Sequence, residues 1–159
     1  MIGNPLPTAL SGLRLPAIAA PLFIISTPDL VIAQCKAGVI GSFPALNARQ
    51  KDGEQNMLEI WLQQITEELD RYNQANPDAP AAPFAVNQIV HRSNERLQQD
   101  VEICAKWKVP VWITSLGARV EVNQAAHSCG GVVLHDIINN RFAKKAVEKG
   151  ADGLIAVAA

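Results

Sequence analysis

This sequence has no long run of positive charge. Fourteen Lys and Arg stand against 15 Asp and Glu, for a formal net charge of −1. The longest basic cluster is the pair Lys144-Lys145, which argues against a general nucleic-acid binder. Long apolar runs are missing too. The longest, Pro16 to Ile25, falls well short of the ~20 residues a helix needs to span a bilayer, so no membrane partner is expected. The opening residues Met1 to Pro7 lack a basic start and are broken by prolines, unlike a secretory signal. A cytoplasmic protein is the simplest expectation. Cysteine is scarce: Cys35, Cys104 and Cys129 are odd in number, widely spaced and form no CxxC pair. That argues against a disulfide framework or a metal site and for buried structural thiols.

What is present is ordinary for a globular domain: 48% hydrophobic and 18% charged residues over 159 positions, a length that suits one domain. Short apolar runs recur at Ala17–Ala20, Val39–Phe43, Phe84–Ile89, Val111–Thr114, Val132–His135 and Leu154–Val157. Each is continuous and partly β-branched, as strands buried on both faces of a parallel sheet are. Helical patterns lie between them. Pro28 to Ala37 follows Thr27, an expected N-cap, and stops at Gly38. Met57 to Tyr72 carries a stripe of Leu58, Trp61, Leu62, Ile65 and Leu69. Asn94 to Trp107, Ala118 to Ser128 and Asn140 to Lys149 complete the set, with Gly130-Gly131 and Gly150 as stops. Residues 73–83 read as a Pro-rich surface loop. Alternation of this kind means βα units around a parallel sheet. Six units fit either an open doubly wound sheet or six-eighths of a (β/α)8 barrel. The first βα turn, Ala20 to Ser26, holds no glycine and so lacks the G-x-G-x-x-G fingerprint of a Rossmann domain.

In parallel α/β folds the chemistry gathers at the strand carboxyl ends. Those positions are Ala20-Pro21-Leu22, Ser42-Phe43, Asn87-Gln88, Thr114-Ser115 and His135-Asp136. A polar group inside an apolar strand is informative, because burying it without a partner costs ~1–3 kcal/mol. Asn87 is such a group, either bridging neighbouring strands or presenting its amide to a planar heterocycle. Ser115 precedes a helix and reads as a cap or a site residue. His135 and Asp136 should point to opposite faces of their strand, with His135 a satisfied structural group or an acid/base. His91 lies in a loop and His127 at a helix end. No Ser-His-Asp order, P-loop or metal cluster is visible.

The segments Leu15–Ser26, Gly38–Asn47, Phe84–Ser93, Ile113–Gly117 and Gly150–Val157 resemble, in family order, the nitronate monooxygenases, formerly the 2-nitropropane dioxygenases. The resemblance runs over nearly the whole chain. It implies an FMN-dependent (β/α)8 TIM barrel, with about six of the eight βα units present here. Residues 1–159 would be the N-terminal part of a single FMN-binding domain, with the remaining strands and a smaller lid domain outside this sequence. The implied reaction is oxidation of small alkyl nitronates by O2 to carbonyl compounds and nitrite, without a metal. The backbone of Ala20, Pro21 and Leu22 would run past the flavin, and Asn87 would contact it. Asp136 falls where some members carry a flavin-facing Lys, so a carboxylate stands in place of a cation. The family's catalytic His and its phosphate-binding loops are expected beyond Ala159. No catalytic residue is therefore expected within the chain, and the 159 residues alone are expected to be inactive and to associate, as a homo-oligomer or otherwise, through open sheet edges. The related flavin-dependent enoyl-acyl-carrier-protein reductases share part of the pattern and are the alternative enzyme. A non-catalytic α/β module is the alternative outside enzymology.

Overall fold

A strand buried on both faces needs cover on both, and right-handed βα connections supply it by laying successive helices against the sheet. A computed structural model, which describes residues 7–49 and 56–157, has this layout. Its strands are β1 (Gly41–Pro44), β2 (Phe84–Ile89), β3 (Val111–Ser115), β4 (Val132–Ile137) and β5 (Gly153–Ala156). They alternate with α1 (Pro28–Lys36), α2 (Met57–Ala75), α3 (Leu97–Lys106), α4 (Val120–Ser128) and α5 (Asn140–Glu148), α1 preceding β1. Every pairing is parallel, in the order β1-β2-β3-β4-β5. Strict sequential order is that of barrel staves. A doubly wound sheet would reverse about its first strand.

The strand expected at Ala17–Ala20 is reduced to a single parallel bridge, Ile18 to Ile40. The Ala19 N–H donates to the Ile40 carbonyl at 2.8 Å, and the Ile40 N–H donates to the Ala17 carbonyl at 3.0 Å. Pro16 and Pro21 bracket this segment, and neither has an N–H to extend the ladder. It still lies beside the start of β1, so the expected stave is in its place but too short to be a strand. The described residues thus hold five strands and a bridge where six strands were expected.

The helices begin and end for local reasons. Pro28 opens α1, but the Thr27 side chain makes no cap bond, contrary to expectation. Asn56 caps α2 by accepting from the N–H groups of Leu58 and Glu59. Asn139 caps α5 by accepting from Phe142. Gly38 closes α1 with φ +89°, the left-handed region where a Cβ is costly. At Gly41 the reason is close approach, since a Cβ there would lie 2.5 Å from the Val31 carbonyl oxygen of α1.

Alternation along the strands divides the core in two. On the outer face Phe43, Phe84, Val86, Trp112 and Val133 pack with residues of α1 to α4, among them Val31, Leu62, Ile65, Cys104 and Ala126. On the inner face Ile40, Ala85, Val111, Ile113, Val132 and Leu134 form a second cluster, joined by Ile18 and Ile155. Ala9, Leu10 and Leu13 pack on that inner cluster, which includes the strand starts Val111 and Val132. No helix among the described residues is long and apolar enough to cross a membrane.

Candidate active site at the carboxyl edge of the sheet

Because Ala85, Val111, Ile113, Val132 and Leu134 belong to the inner cluster, the period of two puts Asn87, Ser115 and Asp136 on the same inner face. Asn87 is 3% exposed. Its Nδ2 donates to the Ser115 hydroxyl at 2.7 Å and to the Ile113 carbonyl at 3.2 Å. Both hydrogens of the amide therefore bridge β2 to β3, whose register sets Asn87 opposite Ile113. Among the described residues, none donates a hydrogen bond to Oδ1. The serine does not cap a helix: Ser115 is the last residue of β3, and Arg119 holds the N-cap position of α4.

Beside this pair stands the turn that follows the Ile18 bridge. Ala20 is exposed, Pro21 half-buried and Leu22 exposed. The Leu22 N–H donates to the Ser26 hydroxyl at 2.9 Å, and the Ser26 N–H returns to the Leu22 carbonyl at 3.1 Å. The backbone polar groups of Leu22 are thus engaged within the loop. Ser42, at the inner edge of β1, donates to the Ala19 carbonyl. Asn47, at the end of the 3-10 turn Ala45–Asn47 that follows β1, reaches across to the loop. Its Nδ2 donates to the carbonyls of Leu22 at 2.9 Å and Ser26 at 3.0 Å, and its Oδ1 accepts from the Ile24 N–H at 3.2 Å. Ile24 sits at φ +68°, a region that costs a β-branched residue ~1–3 kcal/mol. Leu22, Phe23, Ile24 and Ile25 are all exposed, as are Leu116 (φ +61°) after β3 and Ile138 after β4. The carboxyl edge thus combines a buried amide–hydroxyl pair with exposed apolar loop residues. Sequence reasoning gave Asn47 no role. The only local signal was an asparagine just after a strand, a common turn residue.

His135 and Asp136 part company. His135 shares the outer face with Val133, and its Nδ1 lies 2.6 Å from the Thr114 hydroxyl. Burial pulls its pKa below the ordinary 6.5, with the Asp136 carboxylate acting weakly the other way, so the ring is neutral at neutral pH. Asp136 is half-buried, paired in register with Ile155 of β5. A cleft of about 320 Å³ opens where the loops after β3 and β4 diverge, with Leu116, His135, Asp136, Ile138, Phe142 and Lys145 in its wall. His91 is exposed and turned toward Ser93. His127 pairs with Asp152 at 2.9 Å, away from the carboxyl edge.

A further polar group supports the site from outside. Arg96, just before α3, donates from Nη1 to the Ala48 carbonyl at 2.9 Å, next to Asn47, and from Nη2 to Asp100 at 2.9 Å. Asp100 is fully buried. Burial pushes its carboxyl above the usual range while Arg96 pulls it back. Burial also pushes the Cys35 thiol up to about 11 and raises that of Cys104, so neither is a thiolate nucleophile at neutral pH. Among the described residues no group of three or more His, Cys, Asp or Glu could hold a metal ion.

No protein-family model matches the sequence, and no curated protein sequence matches it. Solved structures are similar to it. FabK from Thermotoga maritima matches with a TM-score of 0.72 at 21% identity, over 93% of this chain and 42% of that chain. Nitroalkane oxidase from Streptomyces ansochromogenes matches with a TM-score of 0.73 at 20% identity, over 94% of this chain and 48% of that one. The fold is that of a partial (β/α) barrel, and the chain spans less than half the length of either structure.

Proposed function

We propose that this chain forms the N-terminal part of an FMN-binding barrel in an oxidoreductase that converts small alkyl nitronates and O2 to carbonyl compounds and nitrite. The observation that carries this reading is the Asn87–Ser115 pair. A buried amide with both hydrogens satisfied and its oxygen without a donor among the described residues sits at the carboxyl end of inner staves, where barrel enzymes place their ligands. The donor set fits a flavin. Its apolar ring suits the exposed Leu22, Phe23 and Leu116. Its N–H and hydroxyl groups suit an acceptor such as Asn87 Oδ1 or the Asp136 carboxylate. Pro21 has no N–H, and the backbone groups of Leu22 are engaged by Ser26 and Asn47, so Ala20, Pro21 and Leu22 would frame the ring by shape. When bound, FMN supplies the electron transfer. The chain's own residues hold the ring at the strand ends, and the apolar loops keep water from it. Asp136 contributes an acceptor and not a cation. The sequence resemblance and the likeness to a nitroalkane oxidase structure support nitronate as the substrate.

A second reading, a flavin-dependent enoyl-acyl-carrier-protein reductase, rests on the part of the sequence pattern shared with that family, and FabK is equally similar in fold to this chain. One experiment separates the two. A complete barrel protein containing this chain, supplied with FMN, is assayed for nitrite release from an alkyl nitronate in air, and for reduction of an enoyl thioester by a reduced nicotinamide. Nitrite release without thioester reduction is expected. Thioester reduction alone would select the second reading, and a colourless protein that binds no FMN would overturn both.

A further inference from the structure

The loop at residues 20–26 has the wrong composition to hold its own shape. Phe23, Ile24 and Ile25 are exposed, so little burial fixes them, and Ile24 occupies a backbone region that β-branched residues avoid. Among the described residues, the bonds within the loop that oppose this are the reciprocal pair between Leu22 and Ser26 and a tight Ile25-to-Phe23 backbone turn. Among the described residues, further hold comes from a side chain on another segment. Asn47 donates to the carbonyls on both sides of the turn, at Leu22 and Ser26, and accepts from the N–H at its apex, Ile24. The residue after it is held in turn, because Arg96 bonds the Ala48 carbonyl and is anchored by buried Asp100.

We infer that Asn47 is a positioning residue for the cofactor site, clamping the turn at Leu22–Ser26 in the strained shape that faces the flavin, a role that rests on the flavin reading above. It acts through the loop and touches no reacting atom. An aspartate in its place would keep the acceptor for Ile24 but lose both donations and set a carboxylate against two carbonyl oxygens. Glycine at position 24 removes the Cβ penalty of the left-handed conformation, so the same turn would need less holding.

The test uses the full chain and three variants, Asn47→Ala, Asn47→Asp and the double variant Asn47→Ala with Ile24→Gly. Two readouts are taken, after thermal melts confirm that each variant folds. The first is amide hydrogen exchange at Leu22, Ile24 and Ser26 without flavin. The second is FMN affinity from quenching of flavin fluorescence. Exchange at these three amides should quicken at least tenfold in both single variants, with β2 and β3 unchanged. FMN affinity should fall about tenfold in both and recover at least in part in the double variant. Unchanged exchange in the single variants would overturn the clamp itself. Faster exchange with unchanged FMN affinity would overturn its role in cofactor binding. Lost affinity that glycine at position 24 does not restore would mean that Asn47 contacts the flavin directly, and would overturn the positioning role. No quenching by the unaltered chain would overturn the flavin reading instead, with the exchange contrast still reporting whether the clamp exists.

Discussion

The first and last βα units of this sheet use similar sequence material to different ends. In β1 all four residues are buried, and Phe43 packs its ring 5.5 Å from that of Trp61 on α2. In β5 burial alternates between half and none, and α5 has one buried residue, Ala146. Leu154 and Val157 are as apolar as anything in β1, yet both are more than two-fifths exposed, as is Phe142 on α5. The described residues pair β5 with β4 on one side. Strand formation is therefore set by the local run of residues, whereas burial is set by what packs alongside.

Two phenylalanines offer the sharpest way to break that comparison. Phe43→Ala removes a fully buried ring and should cost ~3–5 kcal/mol. Phe142→Ala removes a ring that is 43% exposed and should cost about 1 kcal/mol or less. Urea midpoints for the two variants should differ accordingly, and equal losses would mean that α5 is as well packed as the first unit. Two asparagines sharpen the contrast at smaller scale. Asn87→Ala strips the Ser115 hydroxyl and the Ile113 carbonyl of their buried donor and should cost ~1–3 kcal/mol. Asn139→Ala removes an exposed helix cap and should cost ~1 kcal/mol, seen as fraying of α5 by hydrogen exchange before any shift in the global midpoint. The reverse ranking would contradict the assignment of the tighter core to the first units.

The smallest effect concerns pH and β4, between the two regions. The folded pKa of His135 lies below its ordinary 6.5, so on acidification the unfolded chain takes up a proton that the folded chain resists. The neutral ring's contribution is complete above pH 6.5 and is lost as pH falls from there through the folded pKa. Asp100 has a raised pKa and acts with the opposite sign. The comparison is therefore made between the unaltered protein and His135→Gln, in which the Asp100 contribution cancels. Denaturation midpoints at pH 7.5 and 5.5 should drop more in the unaltered protein. Parallel drops would mean that burial does not shift His135.

Much of this layout is legible in the residues because much of it is local. Pro28 and Gly38 bracket α1, the Leu58–Leu62–Ile65–Leu69 stripe makes one face of α2, and short apolar runs mark the strands. What stayed hidden depends on partners far away in the chain. Ser115 reads as a cap until β3 is set beside β2 and Asn87 claims its hydroxyl. Thr27 has the chemistry of a cap but makes no cap bond. The run at Ala17–Ala20 is strand-like, but its flanking prolines reduce it to a bridge. Asn47 bonds residues more than twenty positions away, which no local pattern reveals. The faces of His135 and Asp136 were predictable from alternation. Which face was the inner one needed the helices in place.

The central claim is that the inner carboxyl edge, centred on Asn87, receives a flavin. Titrating FMN with the unaltered protein and with Asn87→Ala, and following flavin fluorescence, tests it most directly. Saturable quenching by the unaltered protein, weakened at least tenfold in the folded variant, is the predicted result. No quenching at all, or equal quenching by both proteins, would contradict it.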